Sequence, residues 1–105
     1  MTPAQAESFV RGYFDAVEVG DYERSWSQLT PEFQRGRARS YEYYTGFWDD
    51  NDISVGDVVL VDAEPGRAFV DVELRWNGSD PFTERFELRA GPNGEPLIAD
   101  QDTIG

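Results

Sequence analysis

Apolar side chains recur every three or four positions through the first third of the chain, which is the spacing of one helix face. The first such stripe consists of Phe9, Val10, Tyr13, Phe14 and Val17. Thr2, Pro3 and Gln5 precede it as a capping box, with the threonine at the N-cap. Gly20 follows it as a helix stop. The pattern therefore predicts a first helix that begins at Pro3 and ends before Gly20.

Two shorter helical pieces are predicted next. Asp21 caps the first of them, and Pro31 ends it and starts the second, in which Phe33 faces inward. The first piece presents Tyr22, Trp26 and Leu29, again three to four residues apart. After an arginine-rich connector, Ser40 caps an aromatic segment with the sequence SYEYYTGFWDDNDIS.

The hydrophobic period changes to two after Asp52, which indicates strands. Four strands are predicted, at residues 53–63, 67–76, 82–90 and 97–104. Asn77 and Gly78 signal a tight hairpin between the second and third strands, and Gly56 signals a bulge in the first. The fold class is therefore α+β, with three N-terminal helical segments packed on a curved four-stranded antiparallel sheet. Residues 1–105 are predicted to form a single domain.

Composition narrows the function. The formal net charge is -12, so nucleic acid is excluded as a partner by repulsion, and no apolar run is long enough for membrane insertion. There is no Cys and no His, which excludes thiol and Ser-His-Asp catalysis and thiolate zinc sites. The sequence therefore predicts no cofactor, no metal ligands and no catalytic residues.

The aromatic segment allows two interpretations. Tyr41, Tyr44 and Trp48 share one helix face with Phe47 beside them, which is typical of core, whereas Tyr43 points elsewhere. The alternative is an aromatic ligand floor. A calcium loop starting at Asp50 fails, because its sixth and twelfth positions hold valines instead of Gly and Glu. The acids are therefore predicted to form a helix end and a turn.

The chain resembles the NTF2-like, or cystatin-like, superfamily, and within it the small actinobacterial type. The stretches that carry the resemblance are FVRGYFDAVEVGDYERSWSQLTPEFQ, YEYYTGFWDDNDISVGDV, FVDVELRW and TERFELRA. One departure is visible: Leu97 stands where the family often has Trp on the last strand. The resemblance implies a cone-shaped cavity between the first helix and the sheet. It also implies an extracytoplasmic domain of a membrane Ser/Thr protein kinase, a lipoprotein or another exported protein; without such a parent the chain is predicted to be cytoplasmic.

Three functions follow as hypotheses. The first is a non-catalytic module that binds an unknown small molecule or protein, as a sensor domain. The second is a small cavity enzyme of the SnoaL/ketosteroid-isomerase type, an isomerase, dehydratase or cyclase. The third is an adaptor that forms a homodimer through the sheet. The candidate cavity residues for ligand binding are Tyr13, Tyr41, Tyr43, Tyr44, Trp48, Trp76 and Glu84.

Overall fold

Helices precede strands along the chain, as the sequence predicts. The computed structural model describes residues 1–104. In that range the helices are α1 (Pro3–Glu18), α2 (Tyr22–Ser27), α3 (Pro31–Arg35) and α4 (Tyr41–Asp50). The strands are β1 (Ile53–Glu64), β2 (Arg67–Trp76), β3 (Phe82–Ala90) and β4 (Pro96–Thr103). The α+β class is confirmed, and the aromatic segment adds a fourth helix to the three N-terminal segments.

Side-chain caps fix where each helix begins. The Oγ1 of Thr2 accepts a hydrogen bond from the backbone N–H of Gln5 at 3.1 Å, and Gln5 Oε1 accepts from the Thr2 N–H at 2.9 Å. This confirms the predicted capping box. Asp21, Thr30 and Ser40 each accept from the backbone N–H three residues ahead. Four polar residues thus satisfy N–H groups that the first helical turns leave without partners.

The sheet is an antiparallel meander in the order β1-β2-β3-β4. Asn77 and Gly78 both have positive φ, 51° and 76°, and form the predicted turn, in which the Ser79 N–H donates to the Trp76 carbonyl at 2.8 Å. β3 begins only at Phe82, so the connection between β2 and β3 is longer than the predicted tight hairpin. The β1–β2 register shifts between Val55 and Val58, where the sequence predicts a bulge at Gly56. A Cβ at Gly56 would collide with the Glu73 side chain. Bulges bend strands, so they account for the curvature of the open sheet.

Helix α1 lies across the inner face of the sheet and forms the core with it. The alternating residues Ala68, Val70, Val72 and Leu74 of β2 are buried and meet the apolar stripe of α1. Phe14 packs edge-to-face on Phe86, with ring centroids 5.6 Å apart. On β4, Ile98 bonds through its backbone to Gln28 and Thr30. These contacts attach the end of α2 and the start of α3 to the sheet edge.

The prediction that the aromatic face of α4 is core is wrong for two of its members. Tyr41 is 42% exposed and Phe47 is 37% exposed, whereas Tyr44 is buried. The periodicity was correct, but α4 lies at the margin of the sheet, where α2 and β2 cover only part of its circumference. Of the four residues on this face, Tyr44 is therefore the one that belongs to the buried core.

Candidate functional site

A cavity of about 200 Å³ lies between the helices and the inner face of the sheet. Its walls come from α1, α3, the connector that follows α3, α4, and the strands β2, β3 and β4. Nine of its fourteen lining residues are aromatic: Tyr13, Phe14, Phe33, Tyr43, Tyr44, Phe47, Trp48, Trp76 and Phe86. The other five are Arg37, Ala38, Leu74, Glu84 and Gln101. The cavity is thus an aromatic chamber with a few polar groups.

The structure brings six of the seven candidate residues to this one cavity: Tyr13, Tyr43, Tyr44, Trp48, Trp76 and Glu84. Tyr41 is the exception and does not line it. Tyr41 is the first residue of α4, and its ring packs edge-on against Trp26 of α2 at 5.5 Å instead. Tyr43 was expected to point away from the other aromatic residues, yet it joins the wall while remaining 47% exposed.

A buried chain of hydroxyl groups runs from the cavity wall into α2. Tyr44 donates to Ser25 Oγ at 2.7 Å, and Ser25 donates to the backbone carbonyl of Tyr22 at 3.3 Å. Tyr13 Oη lies 2.9 Å from Tyr44 Oη. Because the single hydroxyl proton of Tyr44 is committed to Ser25, Tyr13 must donate to Tyr44. The chain therefore has one direction, and the lone pairs of Tyr13 stay free to accept.

The environment keeps these phenols protonated. Burial is the main cause that raises the pKa of Tyr13 well above its ordinary value, and the neighbouring Tyr44 adds to it. Burial also raises the pKa of Tyr44, although the hydrogen bond with Ser25 opposes the rise. The Trp48 indole N–H opposes both rises, but it is buried without an aligned hydrogen-bond partner in the described part of the chain. At neutral pH the two phenols are therefore neutral hydrogen-bonding groups, not bases.

Glu84 is a buried carboxylate on the inner face of β3, only 7% exposed. Thr103 of β4 donates to its Oε1 at 2.7 Å. Within residues 1–104 no arginine pairs with it. The cavity-lining Arg37 instead lies 3.6 Å from Asp100 and 3.5 Å from Asp102. Glu84 is thus an acidic group in an aromatic chamber without a basic partner.

Stacked indole rings join α4 to the sheet beside the cavity. Trp48 and Trp76 stack with centroids 5.6 Å apart and planes at 19°. Phe47 meets Trp76 edge-on at 5.3 Å, and Phe82 also stacks on Trp76, with centroids 6.0 Å apart. Such pairs stabilise beyond the area they bury. They fix the position of α4 and therefore the width of the cavity.

Three polar residues at the site were not among the candidates that the sequence suggests. Arg37 belongs to the connector that the sequence treats as a polar loop. Gln101 lies on β4 three residues after the buried Ile98, so strict alternation would place it on the outer face. Ala99 is an extra residue in β4, because the consecutive residues Glu87 and Leu88 pair with Asp100 and Ile98; this bulge brings both Ile98 and Gln101 inward. Ser25 links the hydroxyl chain to the backbone of α2. The only feature of the sequence that could have indicated this role is its place beside the apolar positions of α2.

Two kinds of feature are absent from residues 1–104. No group of three or more Asp, Glu, His or Cys side chains is arranged to hold a metal ion. None of the helices has the length and apolarity that crossing a membrane requires.

The chain has detectable similarity to a few known proteins. No family model matches the chain. The serine/threonine-protein kinase PknA of Nostoc sp. is 29% identical over 86 residues, which are 71% of this chain and 15% of the kinase. The chain thus spans about one seventh of that relative's length.

Solved structures share the fold. One from Catenulispora acidiphila superposes with a TM-score of 0.67 at 15% identity, covering 96% of this chain and 88% of that one. Another from the same organism, in complex with S-DNPA, has a TM-score of 0.65 at 16% identity and covers 95% and 90% of the two chains. At such identities the likeness is one of fold.

Proposed function

We propose that this chain is a non-catalytic ligand-binding module of the NTF2-like superfamily. In this proposal it serves as a sensor domain of a Ser/Thr kinase or a related exported protein. The observation that carries the proposal is the aromatic cavity, in which nine aromatic side chains surround a small number of polar groups. Ligand sites typically combine apolar and aromatic walls with a few such groups. The solved relative in complex with S-DNPA supports small-molecule binding on this fold.

The similarity to a kinase supports an accessory rather than a catalytic role. The chain has no Lys and no His and no Gly-x-Gly-x-x-Gly sequence. A protein-kinase catalytic domain needs a lysine for the ATP phosphates, a glycine-rich loop and a catalytic loop that begins with His. The match to the Nostoc kinase therefore supports a regulatory segment attached to a catalytic domain elsewhere in the parent.

The cavity limits the ligand to a small molecule. Its volume of about 200 Å³ is below the usual range of about 300–1,000 Å³ for drug-sized ligands. The parallel planes of Trp48 and Trp76 favour a flat or compact group beside them. The Tyr13 oxygen offers an acceptor, and Glu84 offers a second one. A fragment-sized ligand with at least one hydrogen-bond donor fits these features.

Binding would be transmitted through the helical side of the cavity. Arg37 and Ala38 belong to the connector between α3 and α4, and Trp48 lies near the end of α4. A ligand that prefers one position of these segments shifts their population toward it. Through that shift α4 and the connector would signal to an attached segment.

The extracytoplasmic location is tested by the parent reading frame. A membrane-spanning segment between a kinase domain and this chain supports the sensor proposal. A reading frame with this chain on the same side of the membrane as the kinase domain contradicts that location.

Binding itself is tested by titrating the protein with 4-fluorophenol and following the ¹⁹F line width. We expect saturable broadening in the wild type. Ala38 is buried at the cavity wall, so Ala38→Phe should fill the space and abolish binding. Ala90→Phe, at an exposed position on β3, is the matched control and should bind normally. No saturable binding to the wild type, or equal binding to Ala38→Phe, contradicts the proposal.

A second candidate function is a cavity enzyme of the ketosteroid-isomerase type. The observation that favours it is the presence of the Glu84 carboxylate and the neutral Tyr13 and Tyr44 phenols around one cavity. A carboxylate base can exchange a proton next to a carbonyl, and Tyr13 would donate to that carbonyl only after giving up its hydrogen bond to Tyr44. Deuterium exchange into cyclopentanone, followed by NMR, tests it. Exchange above the buffer rate that Glu84→Gln removes supports catalysis, and exchange at the buffer rate contradicts it.

A further inference from the structure

We infer that the ligand of this cavity is a small organic cation, an amine or quaternary ammonium compound, with Glu84 as its counter-ion. The inference rests on the proposed binding function and names the chemical class of the ligand. Three independent features of the structure support it: the unpaired acid, the aromatic walls and the charge around the entrance.

Glu84 supplies the first feature. A buried carboxylate is costly unless it is paired with an opposite charge as well as hydrogen-bonded. Thr103 satisfies only Oε1, at 2.7 Å. The other carboxylate oxygen of Glu84, Oε2, makes no hydrogen bond within residues 1–104, and it is accessible to solvent. An oxygen with free lone pairs is therefore presented to the cavity, where a cation would complete the pairing.

The aromatic walls supply the second feature. The faces of Trp, Tyr and Phe rings carry negative electrostatic potential, and an ammonium group within about 6 Å of a ring centroid is attracted to it. Trp48, Trp76 and Phe47 meet at one wall, and Tyr43 stands at the exposed side. The ring of Tyr43 already holds a cation, because the Arg39 guanidinium carbon lies 4.7 Å from its centroid. Cation–π attraction thus already operates on one residue of the cavity wall, although Arg39 itself does not line the cavity.

The charge around the entrance supplies the third feature. Arg37 is the one basic side chain among the described residues that line the cavity. Its guanidinium is shared by Asp100 and Asp102, which flank the lining residue Gln101, so its charge is already compensated and Glu84 is the one acid among the described lining residues. The net charge of -12 adds a long-range field that attracts cations and repels anions. An anionic ligand held by Arg37 would have to displace those aspartates.

Choline and its neutral isostere 3,3-dimethylbutan-1-ol test the inference by isothermal titration. The two probes have the same shape and differ in the charged nitrogen. We expect choline to bind the wild type at least about tenfold more tightly than the alcohol. Glu84→Gln should reduce this preference severalfold. Glu73→Gln, an exposed acid on the outer face of β2, removes the same net charge and should leave the preference unchanged.

The outcomes separate this inference from the proposed function. Equal or weaker binding of choline overturns the cation inference even if Glu84→Gln does not fold, because the comparison uses the wild-type protein. A preference that survives in Glu84→Gln overturns the role of Glu84. If neither probe binds, the inference fails, and the 4-fluorophenol titration then decides whether the proposed binding function fails with it.

Discussion

Tyr44 is the middle member of the buried hydroxyl chain, since it accepts from Tyr13 and donates to Ser25. Tyr44→Phe would leave both partners buried with one hydrogen bond fewer. An unsatisfied buried polar group costs about 1–3 kcal/mol, so we expect the free energy of unfolding to fall by roughly that amount.

Urea denaturation measures the effect of Tyr44→Phe. Tyr43→Phe is the control, because Tyr43 is 47% exposed and exposed substitutions usually stay within about 0.5 kcal/mol. Equal stability of the two variants would show that the hydroxyl chain contributes nothing.

The buried Tyr13 phenol makes the protein sensitive to alkaline pH. Its pKa in the folded state is well above the ordinary 10.0, chiefly because of burial. As the pH rises through that ordinary value, the unfolded state loses the proton first, so stability is complete below about pH 10 and declines above it. Tyr44 adds to the decline in the same direction.

Unfolding midpoints in urea between about pH 8 and about pH 11 measure this dependence. We expect the alkaline decline to be shallower in Tyr13→Phe than in the wild type. An identical slope in both proteins would mean that Tyr13 ionises equally easily in the folded and unfolded states.

At the scale of the elements, α4 depends on aromatic stacking for its attachment to the sheet. Trp76 contacts Phe47, Trp48 and Phe82. Trp76→Ala removes all three contacts, and because Trp76 is half-buried we expect a loss of about 2–3 kcal/mol, less than the ~3–5 kcal/mol of a fully buried Trp.

Hydrogen exchange locates the effect of Trp76→Ala. The amides of α4 should lose protection more than those of α1, which packs on the sheet independently. Uniform loss across both helices would contradict the special role of this stack. Val61→Ala, at an exposed position on β1, serves as the control and should change neither helix.

The elements themselves were largely predictable from sequence. The caps Thr2 and Ser40 are local signals, and the alternation from Ala68 to Trp76 is regular, so each could be identified without tertiary information. The Asn77–Gly78 turn likewise follows from the conformational freedom of two residues.

The assembly of the cavity was less predictable, because it depends on how elements meet. The spacing of Tyr41 and Trp48 puts them on one side of α4, but it cannot show that the sheet ends before it reaches Tyr41. The inward position of Gln101 depends on a bulge in its own strand β4, which only the pairing with β3 reveals. Arg37 reaches the cavity through ion pairs with residues more than sixty positions away. None of these tertiary contacts produces a periodic pattern of hydrophobic residues in the sequence.

At the scale of the whole molecule, 21 acidic side chains face 9 basic ones. Self-repulsion at this imbalance destabilises the compact state, and salt screens it. Salt also weakens surface ion pairs such as Arg37 with Asp102, but these contribute little when exposed. We therefore expect the urea midpoint to rise between about 10 mM and about 200 mM NaCl. A falling midpoint would show that the ion pairs dominate.

A homodimer through the sheet stays a prediction. Val59 and Val61 are exposed on the edge strand β1 and are the apolar side chains that such a contact could bury. Sedimentation equilibrium distinguishes the states, since the chain mass is 11.9 kDa. A dimer that Val59→Asp dissociates supports pairing at this edge, and a monomer at millimolar concentration contradicts it.

The three tryptophans allow the most direct test of ligand binding in the cavity. Trp48 and Trp76 line it, whereas Trp26 packs behind Tyr44 and does not. Their indole N–H signals can be followed by ¹H–¹⁵N NMR during a titration with 4-fluorophenol. We predict saturable shifts for Trp48 and Trp76 and little change for Trp26. Unchanged signals at saturating ligand, or shifts confined to the outer face of the sheet, would contradict the cavity as a binding site.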